Sequence, residues 1–135
     1  MTDAAGLLDA LAIRDLIYSY ARGVDRRDLD LVRSCFTADC GYEGALATGR
    51  IADMLAALPV AMARYRSTLH FMGEPAISVD GDRAQATTST VAYHVLPDPA
   101  AGIRTVAVRY EDELGRTPDG WRIASRRVFR MWGAA

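Results

Sequence analysis

Tyr18-Ser19-Tyr20-Ala21-Arg22-Gly23-Val24-Asp25-Arg26-Arg27-Asp28 ends one helical pattern and starts another, with an acid at the join. Upstream of it, Leu7, Leu8, Leu11, Ile13, Leu16, Ile17, Tyr20 and Val24 recur in steps of three and four, the stripe of an amphipathic helix. The spacing predicts a helix from about Ala4 to Gly23, where glycine weakens the end. Asp28 then reads as the N-cap of a shorter helix carrying Leu29, Val32 and Phe36. Asp25 stands beside apolar neighbours, placed like the acid of a pocket. Its other reading is a turn residue in the charged run Asp25 to Asp30.

Working outward, Asp39 to Tyr42 reads as a short strand. After Gly49, Ile51, Met54, Leu55, Leu58, Ala61 and Met62 form a third helical stripe, with Pro59 as a candidate kink. From Ser67 the texture changes. Thr68-Leu69-His70-Phe71-Met72, Ala76 to Val79 and Ala84 to Leu96 are rich in β-branched and aromatic residues, and Asp80-Gly81-Asp82 marks a hairpin turn. A polar loop over residues 97–102 leads to a strand from Ile103 to Leu114, and Pro118-Asp119-Gly120 turns it into a last strand from Trp121 to Trp132. Helices first and long strands afterwards predict an α+β domain whose helices cover one face of the sheet. Strands of this length bend, and a bent sheet closed by helices encloses a cavity.

With 135 residues and 50% hydrophobic content, the chain is read as a single domain over residues 1–135, large enough to bury a core. Sixteen basic and seventeen acidic residues leave a net charge of −1, the wrong balance for a partner bound through phosphates, so nucleic acid is excluded. The N-terminal stretch lacks a cationic region, and its apolar residues are interrupted by Asp9, Arg14 and Asp15. Neither a leader nor a membrane span is read, and a cytoplasmic location is expected. Cys35 and Cys40 have neither zinc-site nor thioredoxin spacing and are expected as reduced thiols.

Ile13-Arg14-Asp15-Leu16-Ile17, Gly23-Val24-Asp25-Arg26-Arg27-Asp28, Thr68-Leu69-His70-Phe71 and Asp119-Gly120-Trp121-Arg122-Ile123 with Arg126 resemble the SnoaL-like branch of the NTF2-like superfamily over nearly the whole chain. The resemblance implies an NTF2-like (cystatin-like) cone, with three N-terminal helices packed on a strongly curved, mainly antiparallel sheet that encloses a pocket. The superfamily includes scytalone dehydratase, a hexachlorocyclohexane dehydrochlorinase, a bile-acid dehydratase and ketosteroid isomerase, so it constrains fold more than substrate. In the lyases of this branch an Asp near the end of the first helix and a His on a following strand form an acid/base dyad. Asp25 and His70 match those positions. Tyr20 matches a tyrosine of the bile-acid dehydratase, where the dehydrochlorinase has a lysine that this chain lacks, which favours dehydration or isomerisation over loss of chloride. Arg126 matches an arginine of the dehydrochlorinase, with Arg127 one position away. His94 stands for a second histidine if its register faces inward.

The chemistry follows from these residue types. A neutral imidazole accepts a proton near pH 7, and a carboxylate on its other nitrogen fixes the tautomer. His70 is thus expected as the base, Asp25 as its partner, Tyr20 as a proton donor and Arg126 as the group that stabilises developing negative charge. Each has a bland alternative: a strand histidine or a buried tyrosine is also an ordinary core residue. Two histidines on different strands do not make a metal constellation, so no metal and no cofactor are expected. A mostly apolar lining is drawn from Leu55, Leu58, Phe71, Met72, Val91, Tyr93, His94, Val108, Tyr110 and Met131, suited to a small apolar or alicyclic ligand such as a steroid or polyketide. In the last strand, strict alternation puts Arg122, Arg126 and Arg130 with Trp132 on one face and Ile123, Arg127 and Phe129 on the other. Either set can face inward. Phe129 and Trp132 are alternatively placed for a homodimer or homotrimer. The expectation is a cofactor-free lyase that dehydrates a small hydroxylated cyclic or keto substrate. The alternatives are a ketosteroid-isomerase-like proton-transfer isomerase and a non-catalytic small-ligand-binding domain.

Overall fold

A computed structural model describes residues 3–133. Helix α1 (Ala4–Asp25) is capped by the Asp3 side chain, which accepts from the Gly6 N–H at 2.7 Å. Its stripe buries Ile13, Ile17, Tyr20 and Val24. Asp28 caps α2 (Leu29–Ser34) by accepting from the Leu31 N–H. The two helices approach closely at Gly23, where a Cβ would meet Val32 Cγ2 at 2.8 Å and its backbone N at 3.0 Å. Phe36 does not extend α2. It opens β1 (Phe36–Glu43), a strand longer than its pattern suggested because β7 pairs with it in parallel.

The short β2 (Thr48–Arg50) leads into α3 (Ile51–Met62), which runs unbroken through Pro59. Then come β3 (Ser67–Met72), β4 (Ala76–Asp80), β5 (Arg83–Val95), β6 (Ile103–Thr117) and β7 (Gly120–Gly133). Gly81, at φ 60°, makes the β4–β5 turn, a conformation that costs glycine little. The seven strands form one mixed sheet in the order β2-β1-β7-β6-β5-β3, with β4 also on β5 and the β1–β7 pair its one parallel ladder. Ile13, Ile17, Val32, Cys35, Cys40, Met54 and Ile123 form the dry centre between helices and sheet, and both cysteines are buried free thiols.

Two irregularities in β7 decide which residues face the helices. The ladder to β6 pairs Leu114 with Ile123 but Glu113 with Ser125, so Ala124 is an extra residue. Ile123 and Arg126 therefore share the inner face, which strict alternation forbids. A second extra residue, Met131, lies between the pairs Val108–Arg130 and Ala107–Trp132 and turns Trp132 outward.

Register then maps the inner face row by row. Thr68, His94 and Arg104 stand abreast on β3, β5 and β6, followed by His70, Ala92 and Val106. Next come Met72, Thr90, Val108 and Arg130, then Thr88, Tyr110 and Val128, and then Ala86, Asp112 and Arg126. Among the described residues, no helix is long and apolar enough to cross a membrane.

Candidate active site

The C-terminal turn of α1 delivers Asp25 to the backbone of β3. One carboxylate oxygen, Oδ2, accepts the His70 N–H at 2.8 Å. The other, Oδ1, lies 2.8 Å from His70 Nδ1 and accepts from the Thr68 hydroxyl at 3.0 Å. The Thr68 hydroxyl accepts in turn from Arg27 Nη1 at 2.9 Å, and the same nitrogen donates to the Val24 carbonyl. Arg27 holds this place with φ 59°, the one left-handed non-glycine among the described residues, and its guanidinium also reaches the Met62 carbonyl of α3 at 3.4 Å. The arginine thereby ties α1, α3 and β3 together around the acid.

Burial opposes ionisation of Asp25. The hydrogen bonds from the His70 ring and backbone and from Thr68 outweigh it and hold the carboxyl below its usual value. An ionised carboxylate only accepts, so the contact calls for a proton on His70 Nδ1 and leaves the Nε2 side of the ring for the cavity. His94 sits edge-on to His70, with ring centroids 6.0 Å apart, and stacks obliquely on Tyr65 at 4.6 Å. Burial first, and then the neighbouring His70, push the His94 pKa down. Its Nδ1 is buried without a hydrogen-bond partner.

These groups border a cavity of about 590 Å³ between the helices and the inner sheet face. Tyr20, Leu58, His70, His94, Val108 and Tyr110 line it as the sequence suggested. Asp25 stands behind His70. The sequence reading missed Tyr42, Tyr65, Arg64, Arg104, Val106 and Arg130 on its wall, and also Thr68 and Arg27 behind it. Thr68 was legible in part, because it shares strand parity with His70. Arg27 gave no signal, since its charged run resembles a solvated loop.

Several other positions need correction. Phe71, Val91 and Tyr93 have the opposite strand parity and lie on the outer face, with Phe71 67% exposed. Met131, as the extra residue of the second irregularity, is also exposed. Met72 faces inward, but its sulfur accepts from Thr90 at 3.1 Å and it is not part of the wall. Leu55 is buried in the helix core.

Arg126 points inward, and Arg127 points outward to Glu43. Yet Arg126 does not reach the cavity. It makes a two-pronged ion pair with Asp112 at 2.7 and 2.9 Å, both side chains fully buried. The rings of Tyr20 and Tyr110 cover its guanidinium at 4.4 and 4.2 Å. Burial raises the pKa of both tyrosines, whose rings meet edge-on with centroids 5.8 Å apart. Both phenols thus stay protonated at neutral pH.

The SnoaL-like domain family matches residues 5–127. The chain belongs to the SnoaL-like domain family. This SnoaL-like chain is similar to the solved structure of Kfla4162 from Kribbella flavida, at 27% identity with a TM-score of 0.85, covering 98% of this chain and 95% of that one. An NTF2-like protein with a cystatin-like fold from Novosphingobium aromaticivorans is 25% identical, with a TM-score of 0.77 over 100% of this chain and 94% of its own. The hexachlorocyclohexane dehydrochlorinase LinA-type3 of Novosphingobium barchaimii shares the fold, with a TM-score of 0.78, 18% identity, and 95% and 90% of the two chains covered. The architecture of this SnoaL-like protein is therefore the NTF2-like cone.

Proposed function

We propose that the protein is a lyase that removes water from a small hydroxylated cyclic or keto substrate, with Asp25 and His70 as its acid/base dyad. The observation that carries this reading is the 2.8 Å contact between the Asp25 carboxylate and His70 Nδ1 at the wall of the cavity. A base oriented in this way accelerates proton removal by about 10² to 10⁴-fold. His70 Nε2 takes the proton on the carbon beside the substrate carbonyl, and the C–H electron pair forms the new double bond. The C–O bond to the β-hydroxyl breaks, and the oxygen leaves as water with the Tyr20 proton. The proton held on His70 then restores the neutral tyrosine through the released water. Asp25 stabilises the imidazolium in between. A fold shared with a dehydrochlorinase adds that this scaffold accommodates elimination.

The test is formation of a conjugated enone from a panel of cyclic β-hydroxyketones, followed by its absorbance. His70→Ala and Asp25→Asn should each lower kcat/KM by about 10² or more while circular dichroism and Tm stay near wild type. Full turnover in both variants would remove the dyad. A bound ligand with no enone from any member of the panel would make the protein a small-molecule binder.

A further inference from the structure

The titratable side chains on the cavity wall are Tyr20, Tyr42, Tyr65, Tyr110, His70, His94, Arg64, Arg104 and Arg130, with no Asp or Glu among them. Asp25, the acid of the dyad, is occupied by His70 and Thr68. Arg104 donates to the Tyr65 hydroxyl at 3.5 Å. Among the described residues, Arg64 and Arg130 have no carboxylate within ion-pair distance. Other arginines without such a pair, Arg26 and Arg66 among them, are not on the cavity wall, so it is their place on one wall that sets Arg64 and Arg130 apart. Arg64 and Arg130, both solvent-exposed, bring two guanidinium groups to one hollow whose described wall carries no Asp or Glu, which raises the positive potential at its mouth.

The inner-face map also sets where that potential lies relative to the base. His70 is on β3, Arg104 two ladders away on β6, and Arg130 three ladders away on β7, with Ala92, Val106 and Val108 as the apolar floor between them. At about 4.8 Å per ladder and about 3.3 Å per residue along a strand, with each arginine two residues off His70's row, roughly 12 to 16 Å separates the His70 backbone from these arginine backbones. Long arginine side chains shorten that span. We infer that the substrate bears a carboxylate on an arm several bonds from its reacting ring carbon, held by Arg130 and Arg64 with Arg104 while the ring lies against His70. A guanidinium fork matches a carboxylate with two parallel hydrogen bonds, and all sixteen basic residues of this chain are arginines. The inference rests on the cavity being the substrate site of the proposed lyase.

Binding of two probes that differ only in charge tests it without turnover. Dissociation constants of cyclohexylbutanoate and cyclohexylbutanamide are measured by calorimetry on the wild type, on the Arg64→Gln/Arg130→Gln double variant and on the Arg64→Lys/Arg130→Lys control. The carboxylate should bind at least about tenfold tighter than the amide, and the preference should shrink as salt is raised. The glutamine double variant should bind both probes alike and the amide as wild type does, and the lysine control should recover part of the preference. Equal or tighter binding of the amide, no binding of either probe, or a preference that survives the glutamine double variant overturns the inference. The preference should persist in Asp25→Asn. If the preference holds in both proteins and the wild type forms no enone from any member of the panel, the dehydratase reading alone fails; enone formed by the wild type and lost in Asp25→Asn, with no preference in either, defeats this inference alone.

Discussion

At the residue scale, the contrast between Arg126 and Asp25 shows how similar polar residues take different parts. Arg126 and Asp112 are both fully buried and satisfy each other with two hydrogen bonds. Removing one partner leaves the other charge alone in a dry site, which costs about 3 to 5 kcal/mol. Arg126→Met should therefore unfold at markedly lower denaturant concentration, and Arg126→Met/Asp112→Leu should recover most of the loss, both read from equilibrium unfolding curves. Asp25, by contrast, keeps one face toward the chemistry through His70. Its carboxyl is held below 3.8, so its contribution to stability is present above that pH and is lost as pH falls through the lower folded value. Thr68→Val deletes one donor to it. The folded value rises toward 3.8, the contribution shrinks by roughly 1 to 2 kcal/mol, and acid unfolding begins at higher pH, as a pH series of denaturation midpoints would register.

At the scale of elements, three joins position the site. The last turn of α1 meets α2 at Gly23, whose missing side chain lets Val32 approach. In Gly23→Ala the new methyl would stand 2.8 Å from Val32 Cγ2 and 3.0 Å from its backbone nitrogen, so the helices must part. A loss of about 1 to 3 kcal/mol is expected in thermal unfolding. Since Asp25 lies two residues on, kcat should fall more than fold loss explains. The extra residue at Ala124 is the second join, because it turns Arg126, Val128 and Arg130 to the helix side. The third is the clamp of Asp9 on Arg116 and on the Trp121 indole N–H, which ties α1 to the β6–β7 hairpin.

On the scale of the whole molecule, the sheet has two unlike faces. The inner one carries the cavity. The outer one carries the row Phe71, Val91, Ala107 and Trp132 across four strands, with Leu69, Tyr93 and Met131 beside it. Phe71 and Trp132 are 67% and 55% exposed. An apolar row of this extent is expected to be covered by a second copy, in a homodimer or homotrimer. Light scattering on the wild type should give a multiple of the chain mass, and Phe71→Lys/Trp132→Lys should give a monomer that retains the cavity. A wild-type monomer would reject the expectation.

The sequence by itself determined the helices and the strand order along the chain, because apolar period, caps and turn residues act over a few neighbours. Residue 25 and residue 70 were legible through family likeness, Tyr20 through likeness and helical period, and Leu58, His94, Val108 and Tyr110 only as members of a mostly apolar lining that did not separate the two faces of the strands. Only the tertiary structure decided that Arg126 is sealed beneath Tyr20, that Arg130 reaches the cavity, and that Phe71, Tyr93 and Met131 look outward. These depend on ladder register and on two extra residues in β7, which pairing between distant strands sets and local pattern does not. The same holds for Arg27, whose left-handed turn joins three elements that lie far apart along the chain.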